Sequence, residues 1–145
     1  MLAPLAHLQN EAALAPEDLE RQAKVAQGLS TLAAEPVRRT PMVEQGALGT
    51  LMRMMGDHAD APSVQVPGCT ALWYLASERD CRRDIAAAGA IQRVLAVMTA
   101  PRYAGNAALQ TAGAIRAARF VGLRACRRGH VIAARRMLVP VGNVG

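Results

Sequence analysis

The sequence predicts an all-α protein in which one helical unit occurs about three times. Residues 22–55 match residues 65–98 at a constant shift of 43, an interval typical of repeats built from two or three helices. Apolar residues recur at helical spacing within each unit. The composition, 52% hydrophobic but only 3% aromatic, suits helices that pack through small side chains. Few stretches favour strands.

Identical residues across the interval anchor this alignment, and most other apolar positions keep their apolar character. The identical pairs are Gln22/Gln65, Leu29/Leu72, Leu32/Leu75, Ala33/Ala76, Glu35/Glu78, Arg39/Arg82, Gly46/Gly89, Ala47/Ala90 and Met55/Met98. Because a chance match would not keep the apolar positions in register, we interpret the interval as a structural repeat.

The first complete unit is predicted to contain three helical stretches. They are residues 16–35, a short helix around RRTPMVEQ at 38–45, and residues 46–56, where GALGTLMRMMG carries an apolar stripe. Residues 2–9 are predicted to be a helix of a preceding, incomplete unit. The stripe ends at a glycine, and DHADAP at 57–62 reads as a loop.

The second unit repeats this order. Its predicted helices are PSVQVPGCTALWYLASE at 62–78, a short helix around RRDIAAA at 82–88, and GAIQRVLAVMTAP at 89–101, and residues 103–120 continue the pattern. A proline inside a helix removes an amide donor and clashes with the preceding turn. We therefore expect Pro67 to break its helix, with residues 63–66 as a separate turn and a fresh start near Gly68. Residues 129–138 are a further helix candidate, and VPVGNVG is expected to fray.

The unit resembles the armadillo repeat. The matching segments are VEQGAL and AAAGAI, then LGTLMRMM and IQRVLAVM, then GLSTLA, ALWYLA and AIRAAR. The resemblance implies a right-handed α-solenoid of about three armadillo-like repeats in residues 1–120, with a degenerate last repeat and a basic tail in residues 121–145. HEAT repeats, the neighbouring class, remain an alternative.

In the armadillo family the third helices line a groove that binds extended peptides or partner proteins. The resemblance therefore implies a non-catalytic scaffold for protein–protein interaction, without a cofactor. The positions it assigns to the groove are Lys24, Gln27, Thr31, Thr70, Trp73, Tyr74, Ser77, Gln110 and Arg116. The Trp/Asn ladder that holds basic localisation peptides in the importin-alpha branch is missing, which argues against import of basic cargo.

Two aromatic residues on this predicted groove are candidate anchors. Tyr74 and Trp73 could supply the amphipathic contact area that interfaces favour. The alternative for Trp73 is packing between neighbouring repeats, and ordinary burial statistics favour it.

Charge is distributed unevenly along the chain. Residues 1–84 hold all 11 acidic residues and have a formal balance of −3, whereas residues 85–145 hold nine arginines and no acid. A basic end favours acidic partners. The alternative function is a basic helical module that contacts nucleic acid or anionic surfaces, although an exposed, solvated tail is favoured over nucleic-acid binding. The candidate anion contacts are Arg124, Arg127, Arg128, Arg135 and Arg136.

Paired arginines also occur earlier in the chain. Arg38 and Arg39, like Arg82 and Arg83, are predicted to be solvated and able to form surface ion pairs. The acids within reach of these pairs are Glu35, Asp80 and Asp84.

No pattern in the sequence favours catalysis or a metal site. The histidines fall in separate units, and metalloprotease, nucleophile-elbow and phosphate-loop motifs are missing. The cysteines, Cys69, Cys81 and Cys126, have no CxxC spacing, so we expect buried free thiols. No apolar run approaches the roughly 20 residues of a membrane span, and the N-terminus lacks a basic signal region. We therefore expect a soluble cytoplasmic or nuclear protein.

Overall fold

A computed structural model describes residues 3–107 of the chain. Within these residues the chain forms seven α-helices and a short 3-10 turn, with no strand, which confirms the all-α prediction there. The helices are α1 (Ala3–Leu14), α2 (Leu19–Ala34), α3 (Pro36–Glu44), α4 (Ala47–Asp57), α5 (Pro62–Ala76), α6 (Arg82–Ala87) and α7 (Ala90–Thr99), and the 3-10 turn is Pro101–Tyr103. The predictions for residues 108–145 lie outside the described range.

Local chemistry explains where several helices begin. Asp18 caps α2, since its carboxylate accepts the Arg21 amide at 3.1 Å. Helix α5 opens with Pro62, whose missing amide proton is not needed in a first turn. Before α4 and α7, Gly46 and Gly89 adopt φ of 84° and 74°, a left-handed conformation that other residues rarely adopt. The turn into each of these two helices therefore depends on glycine.

The core lies where α2 packs along α5, which is the most extensive helix contact in residues 3–107. Helix α1 packs on α2, and α4 packs on α5. The largest fully buried apolar side chains are Leu5, Leu29, Met42, Leu51, Met54, Met55, Val64, Leu72 and Leu75. Most of them occupy the apolar stripes seen in the sequence, so helical periodicity positioned the core correctly.

Two buried glutamines make equivalent hydrogen bonds 43 residues apart. Each amide nitrogen donates to two carbonyl oxygens at the end of the preceding helix, groups that would otherwise lack an intrahelical partner. The contacts are Gln22 Nε2 to Ala12 (3.0 Å) and Ala15 (2.9 Å), and Gln65 Nε2 to Met55 (2.7 Å) and His58 (2.9 Å). The identity found in the sequence thus corresponds to a structural contact that occurs twice.

The prediction that Pro67 breaks its helix is wrong. Helix α5 runs without interruption from Pro62 to Ala76 with Pro67 inside it. A proline within a helix costs about 3 kcal/mol, but the same helix buries Val64, Cys69 and Leu72. Burying each apolar side chain of this size contributes about 1.5–3 kcal/mol. Burial on both sides of the proline therefore outweighs the local preference.

The cysteine prediction is confirmed where the structure describes it. Cys69 and Cys81 are free and buried, with 0% and 2% exposure, and Cys126 lies outside the described range. Burial raises the pKa of Cys69 to about 12. The Cys69 thiol therefore stays protonated at neutral pH, where only the thiolate would react.

None of the helices in residues 3–107 combines the length and the apolar character that crossing a membrane requires.

Candidate partner-binding face

Each of the two central helices carries one outward-facing stripe. Residues spaced by four and three positions share one side of a helix, and the two stripes lie 43 residues apart. The stripes are Glu20, Lys24, Gln27, Thr31 and Ala34 on α2, and Ser63, Pro67, Thr70 and Tyr74 on α5 with Ser77 directly after its end. The α2 residues are exposed, and the three central α5 residues are half-buried. We call the two stripes together the α2–α5 face; it contains six of the predicted groove residues.

Three hydroxyl groups on this face donate their protons to backbone carbonyls four residues earlier in the chain. Thr31 donates to Gln27 (3.0 Å), Thr70 to Val66 (2.9 Å) and Ser77 to Trp73 (3.1 Å). A hydroxyl oxygen retains acceptor capacity when its proton is used in this way. The face therefore presents acceptors at these three positions.

Charge on the face is nearly balanced. Lys24 Nζ lies 2.8 Å from Glu20 Oε1, and both side chains are exposed. The hydrogen bond to Glu20 raises the pKa of Lys24, so the lysine remains cationic at neutral pH. Next to this pair, the side-chain amide of Gln27 is exposed and makes no hydrogen bond within residues 3–107. Gln27 is therefore free to offer both a donor and an acceptor.

Trp73 lies off the exposed stripe and belongs to the core. Its side chain is 6% exposed, and its Nε1 has no hydrogen-bond partner among residues 3–107. The equivalent residue on α2 is Ser30, which is also buried at 6% exposure. This burial supports the packing alternative for Trp73 over direct contact with a partner.

Tyr74 remains accessible but is held from one side. It is half-buried, and the guanidinium carbon of Arg39 lies 5.5 Å from the centre of its ring, within the range of a cation–π contact. Arg39 Nη1 also lies 3.2 Å from Glu78 Oε1. Arg39 on α3 therefore positions the one aromatic ring of the face.

Arg39 and Arg82 bond the ends of α2 and α5 in the same way. In each case Nε and Nη2 donate to two carbonyl oxygens at the C-terminal end of the helix, where such groups lack intrahelical partners. The contacts are Arg39 to Ala33 (2.8 Å) and Ala34 (3.1 Å), and Arg82 to Ala76 (3.0 Å) and Ser77 (3.4 Å). The acceptors are again 43 residues apart.

The expectation of solvated arginine pairs is only half correct. Arg38 pairs with Glu35 at 2.6 Å, as predicted. Arg39 is only 11% exposed at its side chain and pairs with Glu78, which was not among the predicted partners. The sequence did contain a signal for the structural role of Arg39: Arg39 and Arg82 are identical across the interval, whereas the residues beside them differ.

His58 makes a hydrogen bond between two loops. Its Nε2 lies 2.7 Å from the carbonyl oxygen of Pro16, and it must carry the proton, because a carbonyl only accepts. In the next loop, Arg102 Nη1 contacts the Asp60 carboxylate at 2.7 Å. Within residues 3–107, no group of three histidine, cysteine or acidic side chains could hold a metal ion.

An open cleft of about 440 Å³ lies between α1 and α2. Its charged side chains are already paired, since Arg21 lies 3.6 Å from Glu11 and 3.8 Å from Asp18. A ligand entering this cleft would have to displace those pairs, so the α2–α5 face is the better candidate site.

The remaining predicted contacts, Gln110, Arg116, Arg124, Arg127, Arg128, Arg135 and Arg136, lie outside the described residues. Anion binding at the basic end therefore stays a prediction. No protein-family model, curated protein or solved structure matches this chain.

Proposed function

We propose that this chain is a right-handed, armadillo-like α-solenoid that acts as a non-catalytic scaffold and binds a partner protein or extended peptide along the α2–α5 face. One observation carries the proposal. Several residues that hold the helices together are identical across the 43-residue interval, including Gln22/Gln65 and Arg39/Arg82, whereas every position of the exposed stripes differs. A constant framework with a varied surface is what recognition of an irregular partner needs.

Packing of the central helices supports a solenoid. Helix α2 packs along α5, and the loops that precede these helices bond each other through His58 and Pro16. Contacts of this kind join neighbouring units and can be continued from one unit to the next. Such an array exposes equivalent helices side by side, which gives one extended surface.

The chemistry of the face suits a peptide backbone. The free amide of Gln27 can donate to a peptide carbonyl and accept from a peptide amide. The hydroxyl oxygens of Thr31, Thr70 and Ser77 add acceptors, and Tyr74 adds apolar area that interfaces favour. Because Lys24 is paired with Glu20, the face selects poorly by charge. Recognition at its centre therefore rests on backbone hydrogen bonds and aromatic packing.

Site-specific photocrosslinking tests this proposal. A photoreactive amino acid is placed at Gln27, on the face, or at Arg53, an exposed residue of α4 that lies off it. The expected result is a discrete crosslinked partner from position 27 and none from position 53. Tyr74→Ala in the position-27 protein should weaken that crosslink, since it removes the only aromatic ring of the face.

Two outcomes would contradict the proposal. One is the same crosslinked species from both positions, which would indicate contact without a preferred face. The other is an unchanged crosslink after Tyr74→Ala, with circular dichroism showing that the variant keeps the helical content of the parent. Either result would remove the α2–α5 face as the binding surface.

A further inference from the structure

Arg39 and Arg82 make the same hydrogen bonds to helix ends, but within residues 3–107 only Arg39 also bonds a carboxylate. In both, Nε and Nη2 bond the carbonyls at the end of the preceding long helix. Arg39 Nη1 goes on to bond the Glu78 carboxylate at 3.2 Å. Within residues 3–107, Arg82 Nη1 has no such acceptor. The two carbonyl bonds hold the guanidinium in place, and Arg82 is only half-buried.

Residues 85–145 contain no acidic side chain that could pair with Arg82 as Glu78 pairs with Arg39. Residue 121, which is 43 positions after Glu78, is valine, and residues 85–145 contain no aspartate or glutamate. The nearby Asp80 and Asp84 are exposed, and within residues 3–107 neither forms an ion pair with Arg82. Residues 85–145 therefore offer no carboxylate side chain that could take this position.

We propose that Arg82 is the docking point for an acidic side chain of the partner, which takes the place that Glu78 occupies at Arg39. This inference rests on the proposed function for the path of the partner. Arg82 bonds Ser77, the last residue of the α2–α5 face, so the acidic side chain would lie at the end of that face. A guanidinium that is already fixed loses little freedom on binding and matches a carboxylate geometrically.

The charge of the chain favours the same partner. Residues 85–145 carry nine arginines and no acid, and a positive field increases the rate at which acidic partners arrive. That field acts over the whole surface, whereas Arg82 offers one fixed position. The two contributions can be separated by comparing Arg82, whose guanidinium bonds two carbonyls, with a neighbouring arginine that is exposed.

Fluorescence anisotropy tests the proposal with two probes. One is a short fluorescein-labelled peptide of alternating glutamate and serine, and the other has glutamine in place of glutamate. The wild-type chain should prefer the glutamate peptide. Arg82→Gln should weaken binding of the glutamate peptide by about fivefold, the size expected for one partly exposed ion pair. It should leave the glutamine peptide unaffected.

Arg83→Gln is the matched control, because Arg83 is exposed and carries the same charge one position away. It should keep the preference for glutamate. Equal losses in the two variants would assign the preference to diffuse charge and overturn the proposal, as would no preference in the wild type. If duplex DNA binds more tightly than the glutamate peptide and Arg82→Gln abolishes that binding, Arg82 would be a phosphate contact instead. The crosslink from position 27 is a separate measurement, so failure here is distinguishable from failure of the scaffold proposal.

Discussion

At the end of α2, the guanidinium of Arg39 bonds two carbonyls, a carboxylate and the face of a tyrosine ring. At the end of α5, Arg82 bonds two carbonyls, and residues 3–107 supply it with nothing more. The two arginines therefore share their carbonyl contacts, whereas the further contacts of Arg39 depend on Glu78 and Tyr74. Contacts that are equivalent at α2 and α5 should contribute equally to stability. Contacts that are made at only one of the two helices should contribute unequally.

The largest effect is expected from the buried glutamines. Gln65→Leu keeps the size of the side chain but leaves the Met55 carbonyl without its donor, while the His58 carbonyl loses one of two donors and keeps the Ala61 amide. An unsatisfied buried group costs about 1–3 kcal/mol and the loss of a further hydrogen bond about 1 kcal/mol, so the free energy of unfolding should fall by about 3 kcal/mol. Urea denaturation measures this change.

Gln22→Leu should show a loss of similar size, because the contacts of Gln22 are equivalent. Gln27→Leu is the control on the same helix, and since its amide is exposed it should change stability by less than about 0.5 kcal/mol. A loss at Gln65 with none at Gln22 would break the equivalence of the two regions.

Two glycines inside the central helices, Gly28 and Gly68, lie against side chains of different freedom. A Cβ on Gly68 would lie 2.9 Å from Met55 Cγ, an atom close to the backbone of a fully buried residue. Gly68→Ala should therefore lower the free energy of unfolding by about 2 kcal/mol through overpacking. At Gly28 the nearest atoms are terminal methyl groups of the half-buried Leu8, which can rotate away.

Gly28→Ala should be close to neutral, because the better helix propensity of alanine, about 1 kcal/mol, offsets the small rearrangement. Thermal or urea melts of the two variants compare these sites directly. A larger loss at Gly28 than at Gly68 would show that Leu8 is held more rigidly than Met55.

The glycines that precede α4 and α7 both adopt positive φ. A side chain at positive φ costs about 1–2 kcal/mol, so Gly46→Ala and Gly89→Ala should each destabilise the chain by that amount. A Cβ on Gly49, inside α4, would meet no neighbouring side chain within 4 Å, and Gly49→Ala should stabilise by up to about 1 kcal/mol. The opposite signs, measured by urea denaturation, separate backbone strain from helix propensity. Destabilisation at Gly49 would contradict this separation.

Sequence periodicity was sufficient for the framework because framework residues repeat. Gln65 and Gly89 could be matched to earlier residues by identity alone, and the exposed stripes followed from the helical period. The continuity of α5 through Pro67 could not be foreseen from a local rule, since burial elsewhere in the helix decides it. The role of Arg39 was missed because its acceptors include backbone carbonyls, which leave no mark in a sequence, and a glutamate 39 residues away.

The smallest effect, and the sharpest test of the comparison, is expected from replacing each arginine with lysine. Lysine keeps the charge but loses the planar fork that bonds carbonyls and carboxylate together. Arg39→Lys should lower the free energy of unfolding by about 1 kcal/mol, because it also weakens the contact with Tyr74. Arg82→Lys should lower it by less, since Arg82 lacks a carboxylate and a ring contact within residues 3–107.

Arg38→Lys is the control, because its pair with Glu35 is more exposed and should contribute at most about 0.5 kcal/mol. Urea denaturation at low and high salt adds a second distinction: the effect at Arg39, whose side chain is 11% exposed, should persist in salt, whereas exposed pairs are screened. Equal losses of stability from Arg39→Lys and Arg82→Lys would mean that Glu78 and Tyr74 add nothing to the stabilisation that the carbonyl bonds provide. In that case an acidic partner would gain little binding energy from Arg82 Nη1.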